Sequence, residues 1–422
     1  MSGRGIALLA RALSSHLARE REGARWMRRR RGAVHIRFAV ALALLAAPIV
    51  ASAQPVPAEV EWPRTRWRDA VPTISLLGPP LLEVGSAAGP DHSLLSGVVG
   101  AVRLSDGGVA VADGSTQRML FFDQRGAFRR AIGRLGDGPG EFRFLRWMGR
   151  CGSGNLGAYN GAPPRLTVFS ETGEFSRQVT LPTSLGFHAP IACSHPDSIS
   201  FLIQTPTTPL SPGRSGTFPA VIVRVASGHR QDTVATGLGQ VYYFSARMPG
   251  AFADVPLRPA TLAAFGRTHL FVVESGQDTV HVFDASGTRR STFHLGLRSI
   301  SMTPAHWRRG VQDRRAREPL VRTRHIVDTV LAEVGPVREM PLIADIVADS
   351  ENRLWVKTFD NYLTPYATWL IVSADGRLIA RAVTSATLRP LEIGGDYLLG
   401  IIRDADDVES VVLLRHTLGR SR

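Results

Sequence analysis

The sequence predicts an all-β protein: a six-bladed β-propeller closed by N-terminal strands joining the C-terminal blade, with a short helical insertion. Three observations carry this. Short apolar runs alternate with Gly/Asp turns at the roughly 8–12-residue spacing of all-β folds. One strand-and-turn unit recurs, as Leu120–Gly126, Leu166–Gly173, Val280–Gly287 and Trp369–Gly376, with a degenerate copy at Val221–Gly228. The closing glycines lie 47, 55, 59 and 89 residues apart, and the first three intervals suit four-stranded blades.

Residues 1–53 read as a signal-peptide region outside the fold. Arg28 to Arg31 precede a 13-residue apolar run, Phe38–Val50, and then Ala51-Ser52-Ala53. A basic stretch, an apolar stretch and small residues are the parts of an export signal. The run is too short to span ~30 Å of hydrocarbon as a stable helix. No cysteine follows it for a lipid anchor. Met27 stands directly before the arginines, which makes it the expected true start.

Residues 54–70 hold three prolines and little periodicity and read as a linker. The propeller is expected over 71–418. Thr73–Leu77 and Leu81–Val84 are short strands without nearby partners. Val98–Leu104, a turn at Asp106-Gly107-Gly108, and Val109–Asp113 then open the first blade. The same opening recurs at Gly266–Val273 and Ala348–Val356.

Between blades one and two runs a loop built from Gly136, Gly138, Pro139, Gly140, Glu141 and Phe142. Three glycines suggest a phosphate cradle, but such a cradle needs a following helix and a Lys or Ser/Thr. A strand follows, so the loop is expected to be an inter-blade turn. Glu141 should cap its backbone N–H groups, Asp137 should be solvated, and Phe142 should begin the next inner strand.

The long last interval holds an insertion, 303–336. Thr303-Pro304 starts a helix and Gly335-Pro336 ends one. Ile326, Val327, Val330, Leu331 and Val334 fall at helical spacing. Two helices are predicted, about Pro304–Arg317 and Leu320–Val334, serving as a lid, a partner surface or packing on the rim. The strands Tyr397–Ile402 and Glu409–Leu414 are too few for a blade, and Thr73–Val84 is expected to complete it. Residues 419–422 form a tail.

The formal charge is +14. Residues 1–53 carry ten arginines and two glutamates, so +14 less +8 leaves +6 on the remainder. That dispersed excess in an exported chain argues against a nucleic-acid partner. Nor is a stable membrane span expected once the signal is cleaved. Of 50 basic residues, 49 are arginine and only Lys357 is lysine. Cys151 and Cys193 lie on the expected innermost strands of blades two and three, and export makes a disulfide between them plausible.

The Gly136–Phe142 loop, the openings of the Asp106-Gly107 type and the closings of the Val282-Phe283-Asp284 type resemble bacterial exported six-bladed β-propellers of the NHL-like repeat group. The stretches Gly395–Gly400 and Asp407–Glu409 add to the resemblance, which covers about Thr73 to Leu414. It implies the propeller fold and, since that group mostly lacks an assigned activity, little about function.

Arg103, Arg146 and His188 are the candidate ligand-binding residues, forming a cationic channel mouth. The competing reading pairs the arginines with carboxylates between blades. The expected function is periplasmic or secreted binding of a protein, peptide or small acidic ligand without catalysis, and no cofactor is called for. The alternative is a metal-dependent lyase or lactonase with Ca or Zn in the channel. Such a site needs converging His or carboxylate ligands. The histidines occupy no common repeat position, and His281 reads as an ordinary strand residue. No G-x-S-x-G elbow for a serine nucleophile is present.

Overall fold

Apolar β-branched and aromatic runs cannot bury both faces alone, so each short sheet must press against another. The computed structural model of the 422-residue chain describes residues 55–62, 71–85, 94–152, 154–182, 187–195, 198–205, 211–226, 231–316, 321–404 and 408–418. The signal region, Ser227-Gly228 of the degenerate repeat, residues 63–70 of the linker and the tail lie outside these residues.

Two short strands come first, β1 (Thr73–Ser75) and β2 (Leu82–Val84). Blade one is β3 (Val98–Arg103), β4 (Val109–Asp113), β5 (Arg118–Phe122) and β6 (Phe128–Ile132). Blade two is β7 (Leu145–Arg150), β8 (Asn155–Gly161), β9 (Pro164–Ser170) and β10 (Phe175–Thr180). Blade three has five strands, β11 (Phe187–His195), β12 (Ser198–Gln204), β13 (Arg214–Ala226), β14 (Gln231–Phe244) and β15 (Phe252–Asp254). Blade four is β16 (Thr261–Phe265), β17 (His269–Glu274), β18 (Thr279–Asp284) and β19 (Arg289–His294). Helices α1 (Pro304–Ala316) and α2 (Val321–Glu333) follow. Blade five is β20 (Ile343–Ala348), β21 (Leu354–Thr358), β22 (Tyr366–Val372) and β23 (Leu378–Ser385). Blade six contains β24 (Arg389–Ile393), β25 (Tyr397–Arg403) and β26 (Glu409–Arg415).

The first strands of the blades touch in a ring: β3 meets β7, then β11, β16, β20 and β24 follow, and β24 meets β3. The core is correspondingly divided into wedges between neighbouring blades. Phe121 and Met119 pack with Leu156 and Phe169 between blades one and two. Leu399 and Val411 pack with Val98 and Val109 between blades six and one.

The N-terminal strands part company. β2 pairs antiparallel with β26, Leu82 opposite Leu413. β1 instead pairs parallel with β23, Thr73 opposite Arg381, on the edge of blade five. The expectation that both complete the C-terminal blade is therefore corrected. A three-residue apolar run fits many edges; Ile74 and Leu76 are buried in the wedge between blades five and six, which selects this one.

The repeated closing turn is one structure used four times. Asp123, Ser170, Asp284 and Ser373 each receive, on the main-chain oxygen, the N–H of the glycine three residues on. Those glycines have φ of +80°, +78°, +89° and +84°, a region costly for L-residues. Each also rests on the preceding blade. A Cβ on Gly173 would stand 2.8 Å from the Phe121 ring, and one on Gly376 2.5 Å from Phe293.

In the inter-blade loop, Glu141 accepts the Gly138 N–H at 2.9 Å and the Arg134 Nε at 2.6 Å. The Gly138 bond first, then Arg134, holds its carboxyl below the usual range. Buried Arg165 donates to the Asp137, Gly136 and Glu141 carbonyls. Gly140 takes φ +75°. Asp137 is half-exposed yet ion-paired with Arg143, so it is not merely solvated. Phe142 is a further correction. It is fully buried against Phe169, a plug before a strand that begins only at Leu145.

Part of the expected linker is docked. Asn361, itself buried, accepts the Glu61 N–H at 3.0 Å and donates to the Glu61 carbonyl at 2.6 Å. Val60 is buried beside it.

Candidate functional site

All six innermost strands contribute their C-terminal halves or ends to one cavity of about 1440 Å³. Its two sides differ in chemistry. On the side of blades six, one and two, the Arg103 N–H donates to Glu392 Oε2 at 2.7 Å. Its guanidinium lies 4.6 Å from the Tyr397 ring centre and 3.5 Å from Asp396 Oδ1. Arg150 joins three blades: it donates to Glu392, to the Arg103 carbonyl, and to Glu171 at 3.1 Å. Glu171 also accepts the Ser105 N–H at 2.9 Å.

These contacts set the charge states. Burial works against the charged form of Arg150, but the charge and hydrogen bond of Glu392 outweigh it and raise its pKa. Burial, and next the Glu392 charge, push the Tyr397 phenol up, so it stays protonated. Burial opposes the Glu171 carboxylate, yet its bonds to Ser105 and Arg150 leave its pKa lowered.

The other side of the cavity belongs to blades three, four and five. Ile191, Phe265, Arg267 and Glu351 line it. Arg267 is exposed and, among the described residues, has no carboxylate partner. Cys193 forms its wall and is disulfide-bonded to Cys151, with Cα atoms 4.6 Å apart. Gly157 makes room for that bridge, since a Cβ there would sit 3.0 Å from Cys151 Sγ.

Below the rim, Asp349 accepts Arg353 Nε at 2.5 Å, Trp355 Nε1 at 3.1 Å and the Glu351 and Arg353 N–H groups at 2.9 Å. His416 makes a 3.0 Å contact from Nε2 to the Gly394 carbonyl, and burial lowers its pKa. It is a neutral donor at pH 7.

Of the three expected ligand residues, only Arg103 is at the mouth. Arg146 is at the opposite, N-terminal end of β7, its guanidinium over Phe144 at 4.8 Å. His188 sits near the start of β11, its Nε2 2.5 Å from the Tyr159 hydroxyl and its ring edge-on to Phe201. The cationic mouth is likewise corrected. Arg103, Arg150 and Arg267 line it, but so do Asp349, Glu351, Glu392 and Asp396. Sequence reasoning missed Arg150, Arg267, Glu392 and Tyr397. A signal existed for Arg150: it ends the first strand of blade two as Arg103 ends that of blade one.

Glu392 is taken by Arg150 and the Arg103 N–H, and Asp349 by four donors. Among the described residues no three His, Cys, Asp or Glu side chains are grouped to hold a metal. His281 is bonded to Thr292 at 3.1 Å within blade four.

At the other end lie the helices. β21 and β25 run antiparallel to β20 and β24, so Tyr362, beyond β21, and Arg403, ending β25, stand opposite the mouth. There the Tyr362 hydroxyl donates to Asp313 at 2.7 Å, and Arg403 donates to the Ala316 carbonyl at 3.3 Å. Arg314 pairs with Asp254 of blade three at 2.7 Å. Helix α1 thus bridges blades three, five and six. Val327, Val330 and Leu331 of α2 pack on Ala253 and Tyr243, and Glu333 accepts the Ala246 N–H at 2.7 Å.

A family described as six-bladed β-propeller, DUF5128, matches residues 90–147. Its blade count agrees with the six sheets. No curated protein sequence is significantly similar to the chain. Among solved structures, a putative exported protein from Bacteroides fragilis is 13% identical over 82% of this chain and 99% of its own, with a TM-score of 0.43. A DUF4221 family member from Bacteroides vulgatus is 10% identical over 80% and 96%, TM-score 0.46. Virginiamycin B lyase from Staphylococcus aureus is 11% identical over 78% and 86%, TM-score 0.34.

Proposed function

We propose that this β-propeller is an exported binding protein that holds a small acidic ligand, or an acidic stretch of a peptide or protein, at the channel mouth without chemical turnover. One observation carries the reading. Arg267 is exposed in the cavity with no carboxylate partner among the described residues, while Arg150 opposite is consumed by three blades. Arg103, held to Asp396 only at 3.5 Å, is the second anchor, and Tyr397 and Phe265 supply walls.

Export rests on the segment 1–53, with translation starting at Met27; the Cys151–Cys193 bridge supports an oxidising compartment. N-terminal sequencing of precursor and mature protein tests both cleavage and start. We read β2, paired with β26, as the clasp that closes the ring and removes its free edges.

The binding test is calorimetry with a penta-glutamate peptide and succinate, against penta-glutamine and succinamide. The acidic members should bind, and Arg267→Ala should weaken them about tenfold, as loss of one close charge pair does. Equal affinity for the neutral members would defeat the reading. Turnover of a lactone or peptide ester that depends on added Zn or Ca would replace it with the metal-enzyme alternative.

A further inference from the structure

A second cavity, of about 450 Å³, lies at the helical end of the molecule, and the N-terminal strap helps to build it. Asn361 grips Glu61 through the backbone alone, so the Glu61 side chain is left to line the cavity beside Trp62. Phe359 and Asp360 come from the turn after β21, Leu297 and Ile300 from the approach to α1, and His306 from its first turn. Thr303 caps that helix: its Oγ1 accepts the His306 N–H, and its own N–H donates to His306 Nδ1, both at 3.2 Å. The neutral imidazole therefore carries its proton on Nε2.

Among the described residues, neither Glu61 nor Asp360 has an ion-pair partner. Two carboxylates thus face one small cavity whose other walls are largely apolar and aromatic. Burial, chiefly, raises the Asp360 pKa, with the Glu61 charge adding a little, against a hydrogen bond from Thr358 that favours the carboxylate. The arrangement is disfavoured as it stands and would be relieved by a positive charge. Arg298 also lines the cavity; like Glu61 it is exposed, while Asp360 is half-buried, and among the described residues Arg298 is ion-paired with neither carboxylate. Two carboxylates with Trp62 and Phe359 fit an organic ammonium, whose apolar body the rings cover. A metal ion would want more oxygen ligands.

We propose that this cavity binds a small organic cation, a primary amine with an apolar or aromatic body, with Glu61 and Asp360 as its counter-charges. The strap is then part of the site: residues just beyond the export signal complete it once docked on Asn361.

Calorimetry on the mature protein with 2-phenylethylammonium and its neutral counterpart 2-phenylethanol tests this. The amine should bind at least about tenfold more tightly than the alcohol. Glu61→Gln leaves the backbone grip on Asn361 untouched, and so should Asp360→Asn; each should weaken the amine about tenfold while leaving the alcohol unchanged. Asn361→Ala should release the strap and match Glu61→Gln in its effect, with the propeller's circular dichroism preserved. Equal binding of amine and alcohol, or wild-type amine affinity in Glu61→Gln, overturns the proposal. Wild-type affinity in Asn361→Ala removes the strap from the site and overturns that part.

Discussion

The two ends of the channel solve one problem, an interior lined with charge, in opposite ways. At the mouth, Arg150 keeps its charge because Glu392 meets it across the blade boundary and Glu171 from within its own blade. At the helical end, Lys357 lies between Asp345 and Trp369, its amine 5.8 Å from the indole centre. It has no ion pair among the described residues. Burial there lowers its pKa, with Asp345 and then Asp313 pulling part of the way back and Arg309 adding to the fall. An arginine in that place could not shed its charge, whereas a lysine can. The lesson is that the Arg150 guanidinium keeps its charge at this blade boundary because a neighbouring blade brings Glu392 to it.

The comparison can be broken most forcefully at the mouth. Replacing both cysteines by serine should cost about 4 kcal/mol, from the 42-residue separation they close. Urea unfolding of the oxidised protein and the double variant measures it, and an unchanged midpoint would mean the bridge does not constrain the mouth. Next, Arg150→Met strands two largely buried carboxylates. A fully buried pair broken this way costs about 3–5 kcal/mol, and since Arg150 is 41% exposed the expected loss is about 2 kcal/mol.

The helical end should respond to pH. The folded Lys357 releases its proton at a lower pH than the unfolded chain, near 10.4. Stability should therefore rise as pH climbs from the folded value toward about 10.4, and Lys357→Met should abolish that rise. His416 provides the matching test beneath the mouth. Its lowered pKa means stability is full above about 6.5 and falls as pH drops below that, a loss that His416→Asn should remove. Denaturation across pH 5–10 covers both. The smallest effect is expected at Asp137→Asn, whose solvent-screened pair with Arg143 should leave the urea midpoint unchanged.

Much of this was legible in the chain. The turns at Gly126, Gly173, Gly287 and Gly376 could be aligned because a positive φ at each demands the same residue. The helices stood out because Val327, Val330 and Leu331 share one face and Thr303 is a good cap. The site was less legible. Arg103 was found, but Arg146 and His188 were assigned to the wrong ends of their strands, since period-two alternation says which face a residue takes and not which end of the blade meets the cavity. Arg267 carries no local signal at all; only its lack of a carboxylate partner among the described residues distinguishes it.

By itself, the amino-acid order determined the blade count, the turn chemistry and the helical insertion, because each depends on contacts within one repeat or on its periodicity; the candidate cysteine pair followed from there being only two cysteines in the chain. Only the tertiary structure decided that β1 joins blade five and β2 blade six, that Arg150 is bonded while Arg267 stays open, and that the docked strap brings Glu61 to the cavity that Asp360 also lines. Those outcomes turn on which side chains meet across blade boundaries, between residues as far apart as Arg150 and Glu392. No local pattern encodes a distance of that kind.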